Sequence, residues 1–150
     1  MSFWPLIIGT FMMAMTIAIH AVGSAKWLAF LGARKSHWRQ TGSPVVLFNA
    51  IILTALVLLF LHMFEVILWA VLYVLLQEWT GLTNMSDAIY FSVITFTTVG
   101  YGDMTLNESA RILSGMEGMI GITVFGLTTA TLFVVMQRVW KFQHPASPGK

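Results

Sequence analysis

An apolar run of about 32 residues, Val45 to Leu76, decides the solvent in which this chain folds. As a helix it would reach roughly 48 Å, longer than a bilayer's hydrocarbon core, so it must tilt, bend or extend past an interface. Two further runs are long enough to span: Phe3 to Val22 and Ile112 to Val139. A fourth, Ala88 to Thr97, has about ten residues and reaches only some 15 Å, half a membrane. With 57% hydrophobic and 9% charged residues in 150, no soluble domain of this length is expected. The reading is an all-α membrane protein.

The basic residues set the topology. Lys26, Arg34, Lys35 and Arg39 fall between Gly23 and Ser43, which reads as a juxtamembrane loop with Trp27, Phe30 and Trp38 at headgroup level beside membrane lipid. Arg138, Lys141 and Lys150 fall at the other end, so seven of eight Lys and Arg lie on one predicted side and only Arg111 on the other. The positive-inside rule then puts the N-terminus outside and the C-terminus in the cytoplasm of a multi-pass protein of the cell or inner membrane. Small residues Ala21 to Ala25 would suit signal-peptide cleavage, but no Lys or Arg precedes the first run, which favours a retained helix. The net charge of +2 gives nucleic-acid binding no support, and the absence of cysteine excludes disulfides and thiolate metal sites.

Ser43 and Pro44 read as N-cap and first residue of the second helix, and Ser86-Asp87 as the cap of the short one. A half-length helix must re-enter, and such backbone is tolerated only when buried in protein or lining water. It leads into Thr97-Thr98-Val99-Gly100-Tyr101-Gly102-Asp103. Gly100 and Gly102 alternate with larger residues, as expected where a chain must take positive φ to aim successive carbonyls one way.

Thr98 to Gly102 match, letter for letter, the TVGYG signature of potassium-channel selectivity filters. The chain resembles the pore module of the tetrameric pore-loop potassium channels. The resemblance implies a pore domain over 44–141, with outer helix 44–77, pore helix 86–97, filter 98–103 and inner helix 110–140. Residues 1–43 would add an extra helix and the basic loop, and 142–150 a short tail. It implies K+ held by the carbonyls of Thr98, Val99, Gly100 and Tyr101, with the Thr98 hydroxyl innermost and the Val99 and Tyr101 side chains in an outer cuff. Asp103 would form a carboxylate ring at the outer mouth, raising local cation concentration.

One position departs from the pattern. Some members carry a glutamate five residues before the signature valine, where this chain has Ile94, so Asp103 needs another partner and Tyr90 is the expected one. Glu117 either supplies an acidic contact behind the filter or faces water in the cavity. Ile122, Phe125 and Thr129 match cavity-lining positions. Gly115, Gly118 and Gly121 read as a small-residue surface packed on the pore helix, with Gly121 either a hinge by resemblance or a packing residue. In the outer helix His62 and Glu65 lie three apart on one face, either structural glue or part of gating.

One chain supplies one filter strand, so closure about an axis requires a homotetramer of chains with three spanning helices and one pore loop each. The expected function is passive, potassium-selective conduction with K+ as the permeant ion and no cofactor. The alternatives are a weakly selective cation channel and a subunit of a potassium transporter. No spanning run carries a cation every third residue, so no voltage sensor is expected. Neither a nucleophile paired with a base nor a phosphate loop is present, so no enzyme activity is expected.

Overall fold

The computed structural model describes residues 3–34 and 44–143. Five helices follow in order: α1 (Trp4–Ala33), α2 (Pro44–Leu75), α3 (Gln77–Thr80), α4 (Met85–Phe96) and α5 (Arg111–Gln143). No strand occurs among the described residues. Three of these helices, α1, α2 and α5, are long and apolar enough to cross a membrane, as the hydropathy runs require.

The first helix differs from expectation. It continues to Ala33, so Lys26, Trp27 and Phe30 lie on helix and not in a loop. Gly23 does not end it, because that glycine is where Leu61 of α2 packs: a Cβ there would stand 2.8 Å from the Leu61 side chain. Further along, Trp27 Nε1 donates to Thr54 Oγ1 of α2 at 3.0 Å, Trp27 stacks on Phe30, and the Arg34 guanidinium sits 4.6 Å above the Phe30 ring. An aromatic belt and a cation thus mark the end of the span, three turns later than the apolar run implied. The expected N-cap Ser43, the residues Lys35, Trp38 and Arg39, and the tail beyond 143 lie outside the described residues.

α2 stops at Leu75, and Leu76 turns the chain into the single turn of α3. Gly81 closes α3 in the left-handed region, φ 83°, and the Thr80 hydroxyl donates to the Tyr73 carbonyl, satisfying one carbonyl left open at the end of α2. The cap of α4 is Asn84, not Ser86-Asp87. Asn84 Oδ1 accepts the Asp87 N–H at 2.8 Å while Asn84 Nδ2 donates to Asp87 Oδ2 at 2.6 Å, a reciprocal box that starts the helix at Met85.

α1 packs chiefly on α5, and α4 sits against both α2 and α5. The core between them holds Trp69, Tyr73, Phe91, Phe96, Leu113 and Ile120. Gly9 leaves room for the Met116 side chain of α5, which a Cβ there would overlap.

Candidate functional site: a pore loop behind a half-length helix

α4 is 12 residues long and ends where the signature begins. Thr97 terminates it, its N–H bonded to the Val93 carbonyl and its hydroxyl to the same oxygen at 2.6 Å. The chain then folds back on the helix end. Thr98 N–H donates to the Thr95 carbonyl at 2.9 Å and Gly100 N–H to the Ile94 carbonyl at 3.0 Å. Ile94 is 6% exposed and holds the loop through its backbone carbonyl.

The loop backbone alternates. Thr98, Gly100 and Gly102 have φ of 59°, 53° and 78°, whereas Val99 and Tyr101 are not in the left-handed region. Glycine takes that conformation without penalty, but for Thr98 it costs about 1–2 kcal/mol. Flipping every second residue between hands lets consecutive peptide carbonyls face the same side. Glycine spacing pointed to two of these positions, while the strained threonine was not readable from sequence.

In the isolated chain Val99 is 51% and Tyr101 73% exposed, so the chain does not bury the side chains expected to form a cuff. Beside the loop lies a cleft of about 420 Å³, bordered by Phe91 and Ile94 of α4, Thr98 and Gly100 of the loop, and Gly115 and Gly118 of α5.

Two polar contacts lie near the loop, one on its end and one among the helices around it. Tyr90 Oη donates to Asp103 Oδ2 at 2.7 Å, joining α4 to the end of the signature. That hydrogen bond, with the Asp103 charge, holds the Tyr90 phenol above its ordinary value. Glu117 is fully buried and does not face a cavity: one carboxylate oxygen accepts from Tyr73 Oη of α2 at 2.6 Å and the other from Ser92 Oγ of α4. Tyr73, Ser92 and Glu117 therefore join three helices at one carboxylate. Tyr73 and Ser92 were not singled out from sequence, because each is unremarkable within its own helix.

The glycine row resolves into separate roles. Gly121 lies against the carbonyl of Phe96 at the end of α4, where a Cβ would come within 1.9 Å of the oxygen, which makes it a close-approach residue. Gly118 is in ordinary contact range of the Thr95 carbonyl, and Gly115 has nothing within 4 Å. A step of three residues turns a helix by about 300°, so the row precesses and only part of it can face α4. Ile122, Phe125 and Thr129 are exposed along one side of α5, with Phe125 also against Phe96 and His62.

A second polar cluster lies outside the loop. Glu65 accepts from His62 Nδ1 at 3.2 Å, and also bonds His20 Nδ1 of α1 at 3.0 Å. Both imidazoles reach Thr128 Oγ1 of α5 through Nε2, at 2.8 Å from His62 and 3.1 Å from His20. His62 and Glu65 are legible in the sequence as a same-face pair, whereas His20 and Thr128 carry no local signal.

A family profile described as "Ion channel" matches residues 45–138. Over 51 residues the chain is 41% identical to the Voltage-gated potassium channel Kch of Escherichia coli (strain K12), a stretch that is 33% of this chain and 12% of that protein. Over 48 residues it is 42% identical to Two pore potassium channel b of Oryza sativa subsp. japonica, covering 31% of this chain and 14% of that one. The match thus spans about an eighth of the length of these relatives. No solved structure matches the chain. A profile that covers most of the chain, from α2 through α5, together with a loop of alternating hand at the end of a half-length helix, makes this chain a member of the ion channel family.

Proposed function

We propose that the chain is one subunit of a homotetrameric, potassium-selective channel. The observation that carries the proposal is the alternating hand of Thr98 to Gly102 in a stretch spelling the filter signature. Carbonyls of Thr98, Val99, Gly100 and Tyr101 replace the hydration oxygens of a K+ ion, with the Thr98 hydroxyl below and Asp103 at the mouth. The carbonyl end of α4 supplies negative potential next to the ion queue. The relatives named above are potassium channels by name.

What one chain leaves uncovered supports assembly with further copies, four by resemblance to the family. Val99 and Tyr101 are too exposed to set the width of a filter, and the cleft beside them opens where an adjacent subunit would pack. Ile122, Phe125 and Thr129 then face the inner cavity. The distribution of basic residues supports a filter at the outer face of the cell membrane, with the N-terminus outside.

Purified protein in liposomes under a potassium gradient tests this. Potassium flux is expected, with sodium flux far smaller. Gly100→Ala should abolish flux while leaving the tetramer intact by mass, since a Cβ meets no atom within 4 Å there and only the φ of 53° is violated. A monomer, or equal sodium and potassium flux, overturns the reading.

A further inference from the structure

We propose that His20, His62 and Glu65 form a binding site for a divalent transition-metal ion of the zinc class, buried between α1, α2 and α5. The three side chains offer one ligand atom each, all within 4.8 Å of one another. Ligands about 2.0–2.1 Å from a tetrahedral zinc stand roughly 3.3 Å apart. His20 Nδ1 and His62 Nδ1 lie 3.0 and 3.2 Å from different Glu65 oxygens, Oε1 and Oε2, and with all three ligand atoms within 4.8 Å of one another no pair has more than about 1.5 Å to close around a zinc ion. Two imidazoles and one carboxylate suit zinc in preference to calcium or magnesium, which favour oxygen alone.

Hydrogen accounting points the same way. The ring of contacts Glu65, His20, Thr128, His62 and back to Glu65 has four links. Two neutral imidazoles and one hydroxyl supply three hydrogens, one too few, so the ring is completed either by one more proton or by a cation in place of hydrogens on the Glu65 side. A dication seated between the two Nδ1 atoms and the carboxylate replaces both hydrogens on that side. Each Nε2–H is then free to donate to Thr128 Oγ1, whose two lone pairs accept both. Thr128 would thereby fix the tautomer and orientation of both ligands, as outer partners of metal-bound histidines do.

The site ties three helices at mid-length. His20 comes from α1, His62 and Glu65 from α2, and Thr128 from α5. The His62 ring lies tilted 4.6 Å from Phe125 and edge-on 6.0 Å from Phe96, so occupancy would stiffen α5 beside the end of α4. The extra first helix gains a role in this arrangement: it delivers one of the three ligands.

Binding is measurable without any conduction assay, so its failure is separate from failure of the channel reading. The purified full chain is dialysed with Zn2+ and then against metal-free buffer, and metal per chain is counted; Co2+ gives a visible spectrum. One Zn2+ per chain and a four-coordinate Co2+ spectrum are expected. His20→Ala and His62→Ala should each weaken Zn2+ binding by at least about 100-fold, and Thr128→Val, which touches no metal, by about 10–100-fold. The His37→Gln/His144→Gln pair should leave binding unchanged. If the alanine variants fail to fold, X-ray absorption on Zn2+-loaded wild type decides, with two imidazoles and oxygen donors expected around each zinc. No retained metal, zinc with fewer than two imidazoles, or binding lost only in the His37/His144 variant overturns the proposal.

Discussion

Gly121→Ala isolates one backbone contact on which the pore loop depends. The added Cβ would lie 1.9 Å from the Phe96 carbonyl oxygen and 2.9 Å from its carbon, whereas ordinary contact begins at 3.4 Å. The two backbones must therefore part by about 1.5 Å, and neither can yield as a flexible side chain would. Overpacking of this kind costs about 1–3 kcal/mol or more. Replacing glycine by alanine inside a helix returns about 0.8–1 kcal/mol, so the net change is destabilising by up to about 2 kcal/mol. For a chain of this size that lowers the melting temperature by up to roughly 8 °C. Because Phe96 lies two residues before Thr98, potassium flux should fall as well. Thermal unfolding of the purified protein is compared with Gly126→Ala, where nothing lies within 4 Å and the same exchange should be neutral or stabilising. Equal melting temperatures and equal flux for Gly121→Ala and wild type would refute the close approach.

Three other outcomes follow from the same structure. Glu117→Ala strands the Tyr73 hydroxyl in a fully buried position, at about 1–3 kcal/mol for the lost partner alone, whereas Glu117→Gln keeps an acceptor for it and should melt closer to wild type. Thr98→Gly relieves the left-handed strain and should raise thermal stability by up to about 1–2 kcal/mol while it lowers potassium selectivity by removing the hydroxyl; a lower melting temperature would contradict the strain. The Tyr90 phenol is raised, so its hydrogen bond to Asp103 is fully present below the ordinary tyrosine value of about 10 and is lost as pH climbs through the raised value. An ultraviolet titration of wild type minus Tyr90→Phe should show one phenol ionising above the usual range, and a midpoint at or below about 10 would contradict the bond.

The spans and the loop were legible because their signals are contiguous. A bilayer demands one long apolar stretch per crossing, and a filter demands adjacent residues with the right backbone freedom, so α2, α5 and Thr98 to Gly102 could be located by letters alone. The box of Asn84 and Asp87 was equally local, an N-cap residue and an acid three apart, and was missed by starting the helix too late. The end of α1 was different: Ala25, Lys26, Leu28, Ala29 and Leu31 favour helix past the apolar run, and the contacts of Gly23 and Trp27 with α2 hold that extension in place.

Buried polar chemistry was settled only by the packing of helices. Glu117 could have faced a cavity or the back of the filter, and what decides is the rotation of α5 that brings Tyr73 and Ser92 to its two oxygens. His20 lies 45 positions from Glu65 and 108 from Thr128, and no periodicity within one helix can reveal which faces of three helices will meet. A polar group in an apolar run announces that it needs a partner, but the partner's identity is a property of the assembled bundle.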